Sequence, residues 1–163
     1  MKKWTVLFIV VDVVLAGYLL AAHLSGGAFP TLGLPLGGDR GYVRRTALAF
    51  LEDIQFKDFD DAARYHSPEK QESVDIPYLI QRLFQVKPEA LDIMSYEVVF
   101  ADLDSTKNRA RVKTRVKVKE LARGEIRDQE IILYFEREDT QAPWYMKLED
   151  SLRQIEGDKH KKH

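Results

Sequence analysis

Three patterns of apolar and polar positions follow one another along the chain. An uninterrupted apolar run extends from Trp4 to about Ala22 and predicts one helix without a polar face. From Tyr42 the apolar residues recur at helical spacing, which predicts amphipathic helices. After Met94 apolar and polar residues alternate, which predicts strands with one buried face. The order of these patterns predicts an apolar helix, then helices, then a sheet.

The helical part contains three predicted helices. The second begins near Asp58 and is stopped by Ser67-Pro68. The third is predicted to begin after Asp75, which can accept hydrogen bonds from the first helical turn, and Pro77 fits that turn. Pro88 opens one further turn. The clearest apolar stripes are Val43, Ala47, Phe50, Leu51 and Ile54 in the first helix, and Ile76, Leu79, Ile80, Leu83 and Phe84 in the third.

The alternating part divides into four strands joined by short polar connections. The predicted strands are Tyr96–Leu103, Arg109–Leu121, Glu125–Arg137 and Trp144–Leu148. Helices followed by a meander of strands are typical of an α+β domain. We therefore predict three helices packed in a curved four-stranded antiparallel sheet.

The apolar run is predicted to be a transmembrane anchor, residues 1–24. Its length is close to the ~20 residues that span a bilayer and exceeds the core of a typical signal peptide. Leu20-Ala21-Ala22 is also a poor cleavage site, although a cleavable signal is the competing interpretation. Lys2 and Lys3 precede the run, and residues 23–38 contain no Lys or Arg. The positive-inside rule then leaves the N-terminus in the cytoplasm and the rest of the chain on the other side of the membrane.

Asp12 is the one charged residue within this run. An acidic residue at the centre of a membrane helix costs roughly 2.5–3.5 kcal/mol on the insertion scale. Two interpretations stay open, because Asp12 is either tolerated alone or contacts a polar or basic group on another membrane helix. Ala16 lies one turn away and, with Gly17, lets a neighbouring helix come close. Asp12 and Ala16 are therefore predicted membrane-helix contacts.

The rest of the chain divides into a linker, a domain and a tail. Residues 25–41 hold six of the nine glycines and two of the six prolines, which predicts a linker. Residues 42–155 form the predicted α+β domain. Residues 156–163 are basic and without apolar side chains, so they predict a disordered tail.

Composition excludes several function classes. Lys and Arg number 25 and Asp and Glu 26, and this balance argues against a nucleic-acid-binding protein. The absence of cysteine excludes disulfides, thiolate metal sites, a cysteine nucleophile and a lipoprotein anchor. His160 and His163 in the basic tail are poorly placed for a metal. No phosphate-binding loop or other catalytic motif is present, so neither a metal nor a cofactor is predicted.

Three segments together resemble a known superfamily. They are Ala49-Phe50-Leu51 in the first helix, the stretch from Lys57 to Ala63, and Pro143 to Leu148. With the third helix they resemble the nuclear-transport-factor-2-like superfamily, whose cone-shaped fold is shared with ketosteroid isomerases and dehydratases. The resemblance covers about residues 42–152 and implies such a cone. Many bacterial members follow a single membrane anchor, as this layout does.

The resemblance also implies where a pocket would lie. Enzymes of the superfamily use an Asp or His as acid or base and a Tyr that polarises a carbonyl. Candidates for a cone interior are Tyr65, His66, Tyr78, Asp102, Tyr134 and Tyr145. Their spacing does not match the catalytic residues of an enzyme member, and the fold also hosts binding modules. We therefore predict no catalytic residue, with an isomerase- or dehydratase-type enzyme as the alternative.

The strand from Arg109 to Lys119 carries a basic residue at every odd position. One interpretation is a face that binds an anionic partner through Arg111, Lys113, Arg115, Lys117 and Lys119. The other is a solvated face neutralised by the next strand. If Glu120 pairs with Glu125, the strand register places acidic residues opposite Arg109, Arg115 and Lys117, and it leaves Arg111, Lys113 and Lys119 opposite uncharged residues. The structural interpretation is favoured.

These observations predict a membrane-anchored, non-catalytic binding or assembly domain in the cell envelope. The expected partners are the membrane and either another envelope protein or a second copy of this chain. Nucleic acid is excluded as a partner because no aromatic residues interleave with the basic ones. A periplasmic binder of a small ligand, released by signal cleavage, is a further alternative.

Overall fold

The computed structural model describes residues 2–26 and 36–152. Its contacts divide the chain into two units, Met1–Tyr42 and Val43–His163, and each unit is described by itself. The central part of the predicted linker and the predicted tail at residues 156–163 lie outside the described residues.

The first unit contains one long apolar helix, α1 (Lys2–Leu24). Its stretch Val6–Leu24 has 19 residues and a mean hydropathy of 2.2. The helix is long and apolar enough to cross a membrane, as predicted, and a signal sequence has the same properties. Its large side chains are exposed, for example Val13 at 65% and Leu24 at 73%.

Helix α2 (Gly38–Phe56) begins earlier than predicted, within the glycine-rich segment assigned to the linker. The first turn is closed by the Gly41 N–H, which donates to the Gly37 carbonyl at 3.0 Å. Asp39 lies in this turn, where a carboxylate interacts favourably with the helix dipole. Glycine is tolerated at the start of a helix, so the local composition did not prevent helix formation.

The predicted stripe of α2 is confirmed, because Val43, Ala47, Phe50, Leu51 and Ile54 are all fully buried. The helix ends at Phe56, and Lys57 follows in the left-handed conformation with φ 67°. The Asp58 N–H then donates back to the Asp53 carbonyl at 2.8 Å, as at many helix ends.

Three further helices and one 3-10 turn precede the sheet. They are α3 (Phe59–Ala63), α4 (Pro68–Gln71), α5 (Ile76–Phe84) and the 3-10 turn Pro88–Ala90. The N-cap is confirmed, because the Asp75 carboxylate accepts from the Tyr78 N–H at 2.9 Å. Helix α4 was not predicted. Pro68 stops the preceding turn but fits the first position of a new one.

The sheet has four antiparallel strands in the order β1-β2-β3-β4. They are β1 (Leu91–Leu103), β2 (Arg109–Glu120), β3 (Glu125–Glu136) and β4 (Tyr145–Met146). The predicted α+β class and the four-stranded meander are confirmed. The sheet is not closed.

Strand β1 begins five positions before the prediction, which placed its start at Tyr96. Its pairing with β2 has irregularities between Ile93 and Ser95 and between Val98 and Phe100. Each extra residue shifts the alternation by one position, so the period of two is not visible at the start of the strand. The last strand is shorter than predicted, with two paired residues.

The register between β2 and β3 is the predicted one. Glu120 pairs with Glu125, Val112 with Leu133 and Ala110 with Phe135. Because side chains alternate across a strand, this register fixes which residues face the helices. The inner face of the sheet joins the stripes of α2 and α5 in one apolar core. Its fully or almost fully buried strand residues are Leu91, Ile93, Ala110, Val112, Val116, Val118, Ile131, Leu133, Phe135 and Met146.

Polar side chains of α2 cover the free edge of β1. The Gln55 amide donates to the Ile93 carbonyl at 2.7 Å, and Arg44 donates to the Val98 carbonyl at 3.4 Å. The Lys57 ammonium donates to the Leu91 carbonyl. An uncovered strand edge is a template for pairing with another chain. These contacts cover the part of this edge from Leu91 to Val98.

Candidate functional site

We define the outer face as the side of the sheet that points away from the core. Its centre is the row of basic residues on β2, which lies between acidic residues of β1 and β3. The row consists of Arg109, Arg111, Lys113, Arg115, Lys117 and Lys119.

Ion pairs connect this row to both neighbouring strands. Arg115 contacts Glu97 of β1 at 2.7 Å and Glu130 of β3 at 3.4 Å. Lys113 contacts Glu130 at 2.6 Å, and this hydrogen bond lowers the pKa of the Glu130 carboxyl. The remaining pairs are Arg109–Glu136 at 3.6 Å, Arg111–Asp102 at 3.4 Å and Lys117–Asp128 at 4.0 Å.

The predicted register is confirmed, because Arg111 and Lys113 lie opposite Tyr134 and Ile132 of β3. Counting only these directly opposite residues predicted too few ion pairs for the row. Long side chains also reach diagonal neighbours, so Lys113 contacts Glu130, and Arg111 contacts Asp102 across the other strand pair. In the part of the chain that the structure describes, Lys119 is the member of the row without an ion pair. The outer face is therefore charge-compensated.

A surface groove of about 430 Å³ lies at one end of the outer face. We call it the outer groove. The Arg111 guanidinium lies 5.7 Å from the centre of the Phe100 ring and 3.4 Å from the Asp102 carboxylate. A cation held over a ring and beside a carboxylate presents both apolar and polar contacts to a partner. The groove is lined by Asp102, Leu103, Asp104, Arg109, Ala110, Arg111 and Tyr134.

The predicted pocket residues do not converge on one interior. Asp102 and Tyr134 lie on the outer face beside Arg111. Tyr78 is 51% exposed on α5, where its hydroxyl accepts from Arg82 at 3.2 Å. Tyr65 and His66 follow α3, and Tyr65 packs edge-on against Phe50. Tyr145, the sixth candidate, lies on β4 opposite Glu136. The six residues therefore do not share one interior.

The sequence pattern did not reveal the carboxyl group that lies beside Tyr65. The Tyr65 hydroxyl donates to the Asp53 carboxylate, and burial together with this bond raises the pKa of Tyr65 to about 12. Burial, and then the neighbouring acidic residues, raises the pKa of Asp53. Asp53 borders the apolar stripe of α2, but a carboxylate at that position is usually solvated. Only the contact between α2 and the turn after α3 distinguishes Asp53 from an ordinary solvated carboxylate.

His66 is fully buried, and neither ring nitrogen has a hydrogen-bond partner among the described residues. Burial lowers the pKa of His66, although the nearby Ala63 carbonyl and the Glu149 carboxylate oppose this effect. Its neighbour Lys70 forms an ion pair with Glu149 at 3.1 Å. His66 is thus an uncharged core residue at neutral pH rather than an exposed base.

No cluster of three or more metal-ligating side chains occurs within residues 2–26 and 36–152. No protein-family model matches the chain, and no curated protein is similar to it.

Proposed function

We propose that this protein is a membrane-anchored, non-catalytic binding or assembly domain of the cell envelope. The observation that carries the proposal is helix α1. Its apolar segment Val6–Leu24 has exposed side chains along its length. Apolar area on this scale is unfavourable in water, and a bilayer removes it from water over the length of the helix.

The charges at the two ends of α1 support one orientation. Lys2 and Lys3 precede the apolar segment, while the chain after it contains no Lys or Arg before Arg40. By the positive-inside rule the N-terminus then lies in the cytoplasm. Residues 36–152 are accordingly assigned to the outer side of the inner membrane.

For the domain we propose the cone-shaped fold of the nuclear-transport-factor-2-like superfamily. The order of helices followed by a four-stranded antiparallel meander supports this assignment. The core, formed by α2, α5 and the inner face of the sheet, supports it as well. In this proposal the apolar side chains between the helices and the sheet stabilise the fold, and a partner binds to the outer face of the sheet.

The outer groove is the surface that we assign to a partner. Arg111 and Tyr134 line the groove, and the Phe100 ring lies against the Arg111 guanidinium. A cation beside aromatic rings is a composition enriched in protein–protein interfaces. The surrounding charges are already paired within the sheet. A partner protein with both apolar and polar contacts therefore fits better than a polyanion, which requires unpaired cations.

Extraction of native membranes tests the anchor. We expect the full chain to stay in the membrane pellet in alkaline carbonate and to be released by detergent, because α1 is integrated in the bilayer. Mass spectrometry of the N-terminus checks that α1 is retained. Recovery of a shortened chain in the soluble fraction would support the cleaved-signal alternative and contradict the proposal.

Site-specific crosslinking tests the binding surface. The chain has no cysteine, so one photocrosslinker can be attached through Arg109→Cys, which lies in the groove and leaves Arg111 in place. A matched probe at Gln81→Cys lies at an exposed position of α5. We expect the probe in the outer groove to give a discrete adduct with another envelope protein and the α5 probe to give none. Equal labelling from both positions would contradict the assignment.

A further inference from the structure

The membrane helix carries one acidic side chain at its centre. Asp12 lies within Val6–Leu24, and no other Asp, Glu, Lys or Arg occurs between Lys3 and Asp39. Its side chain is exposed on α1. A carboxyl group in the middle of a bilayer contacts lipid unless another helix covers it, and ionisable residues at this depth usually face a partner.

The residues one turn away leave room for a close neighbour. Phe8 and Ala16 lie four positions before and after Asp12, on the same ridge of the helix. Beside Ala16, a Cβ built on Gly17 would meet no atom within 4 Å. Small residues at such positions allow two helix backbones to approach, so that short side chains such as Asp can meet.

A second copy of this chain supplies a group that is complementary to the Asp12 carboxyl. A protonated carboxyl carries one O–H donor and also accepts hydrogen bonds, so it is complementary to a second copy of itself. Two copies of this chain have the same orientation in the membrane, which places both Asp12 side chains at the same depth. A two-fold axis parallel to the helices then brings each carboxyl opposite the other.

We propose that α1 pairs in parallel with α1 of a second copy of this chain, with the two Asp12 carboxyls hydrogen-bonded to each other. The proposal rests on the membrane anchor proposed above and names one partner of that anchor. It needs no basic residue from another protein.

Disulfide crosslinking in a defined membrane tests this pairing. Full-length protein is reconstituted in vesicles of phosphatidylethanolamine and phosphatidylglycerol, with Ala16→Cys as the only cysteine. Val14→Cys is the matched control, because it lies on the opposite side of α1 from Asp12. On mild oxidation we expect a dimer from Ala16→Cys and several-fold less from Val14→Cys.

Substitution of Asp12 separates the contribution of the carboxyl contact to dimer association from that of helix packing. We expect Asp12→Leu to reduce dimer association about three- to twenty-fold, the range measured for hydrogen bonds between membrane helices. Asp12→Asn retains a donor and an acceptor, so it should keep most of the dimer.

Each outcome of this experiment is decisive. Equal crosslinking at the two cysteine positions, or an unchanged dimer with Asp12→Leu, would overturn the pairing while the anchor stands, provided that carbonate leaves the protein in the vesicles. A monomer that dimerises only when other membrane proteins are added would indicate a different partner and also overturn it. Protein that carbonate removes from the vesicles would overturn the anchor and the pairing together.

Discussion

The two faces of strand β2 are formed by alternating residues of one segment. They differ in burial, in charge and in the contacts that their side chains make. On the inner face Ala110, Val112, Thr114, Val116 and Val118 are at most 4% exposed. On the outer face the six basic residues are partly or largely accessible, and ion pairs hold five of them. A regular alternation in sequence thus separates a surface that stabilises the fold from one that is available for contacts.

The energies of the two faces are also of different size. Burying one large apolar side chain contributes about 1.5–3 kcal/mol. An ion pair between accessible side chains contributes roughly 0–1 kcal/mol, because water and salt screen it. The outer face can therefore change with little loss of stability, which is the property that a binding surface requires.

The largest effect is expected on the inner face. Leu133→Ala should lower the free energy of unfolding by about 2–5 kcal/mol, because Leu133 is fully buried and its truncation leaves a cavity. Urea unfolding of residues 36–163, followed by the fluorescence of Trp144, measures this loss. Ile132→Ala is the matched control on the same strand, since Ile132 faces outward and is partly exposed. Similar losses for the two variants would contradict the difference between the faces.

An intermediate effect is expected from His66 in the core. Because its folded-state pKa is lowered, the unfolded chain binds the proton more readily than the folded one. Stability should therefore be complete above the ordinary histidine pKa of about 6.5 and fall as the pH decreases below it. The slope for one proton is at most about 1.4 kcal/mol per pH unit.

Unfolding of the wild-type domain and of His66→Phe at several pH values isolates this contribution. The variant should lose less stability than the wild type between neutral and mildly acidic pH. Asp53 acts in the opposite sense, since its raised pKa makes the folded state bind a proton more readily, but it does so near the lower pKa of a carboxyl. Parallel pH profiles for the two proteins would show that His66 is not responsible.

The smallest effect is expected on the outer face. Arg115→Ala removes two ion pairs between accessible side chains and should lower the free energy of unfolding by about 0.2–1 kcal/mol. The loss should shrink in high salt. Lys119→Ala is the control on the same row, since the described contacts of Lys119 include no ion pair. A loss as large as that of Leu133→Ala would contradict the proposed division between the faces.

The sequence by itself determined the features that depend on local periodicity. A hairpin that pairs Glu120 with Glu125 brings the apolar positions of the two strands onto one face, and the structure has that register. The apolar helix and the N-cap at Asp75 likewise follow from composition and spacing within one segment. Such features need no information about distant residues.

Only the tertiary structure decided the features that join distant segments. The start of β1 was hidden because irregular pairing shifts its alternation, and α2 covers its free edge through Gln55 and Arg44. The ion pair of Arg111 with Asp102 depends on the register between β1 and β2, which the pattern of β1 alone does not reveal. The Asp53–Tyr65 pair joins α2 to the turn after α3. A sequence pattern records which side of an element is buried, whereas these contacts depend on which other element lies against it.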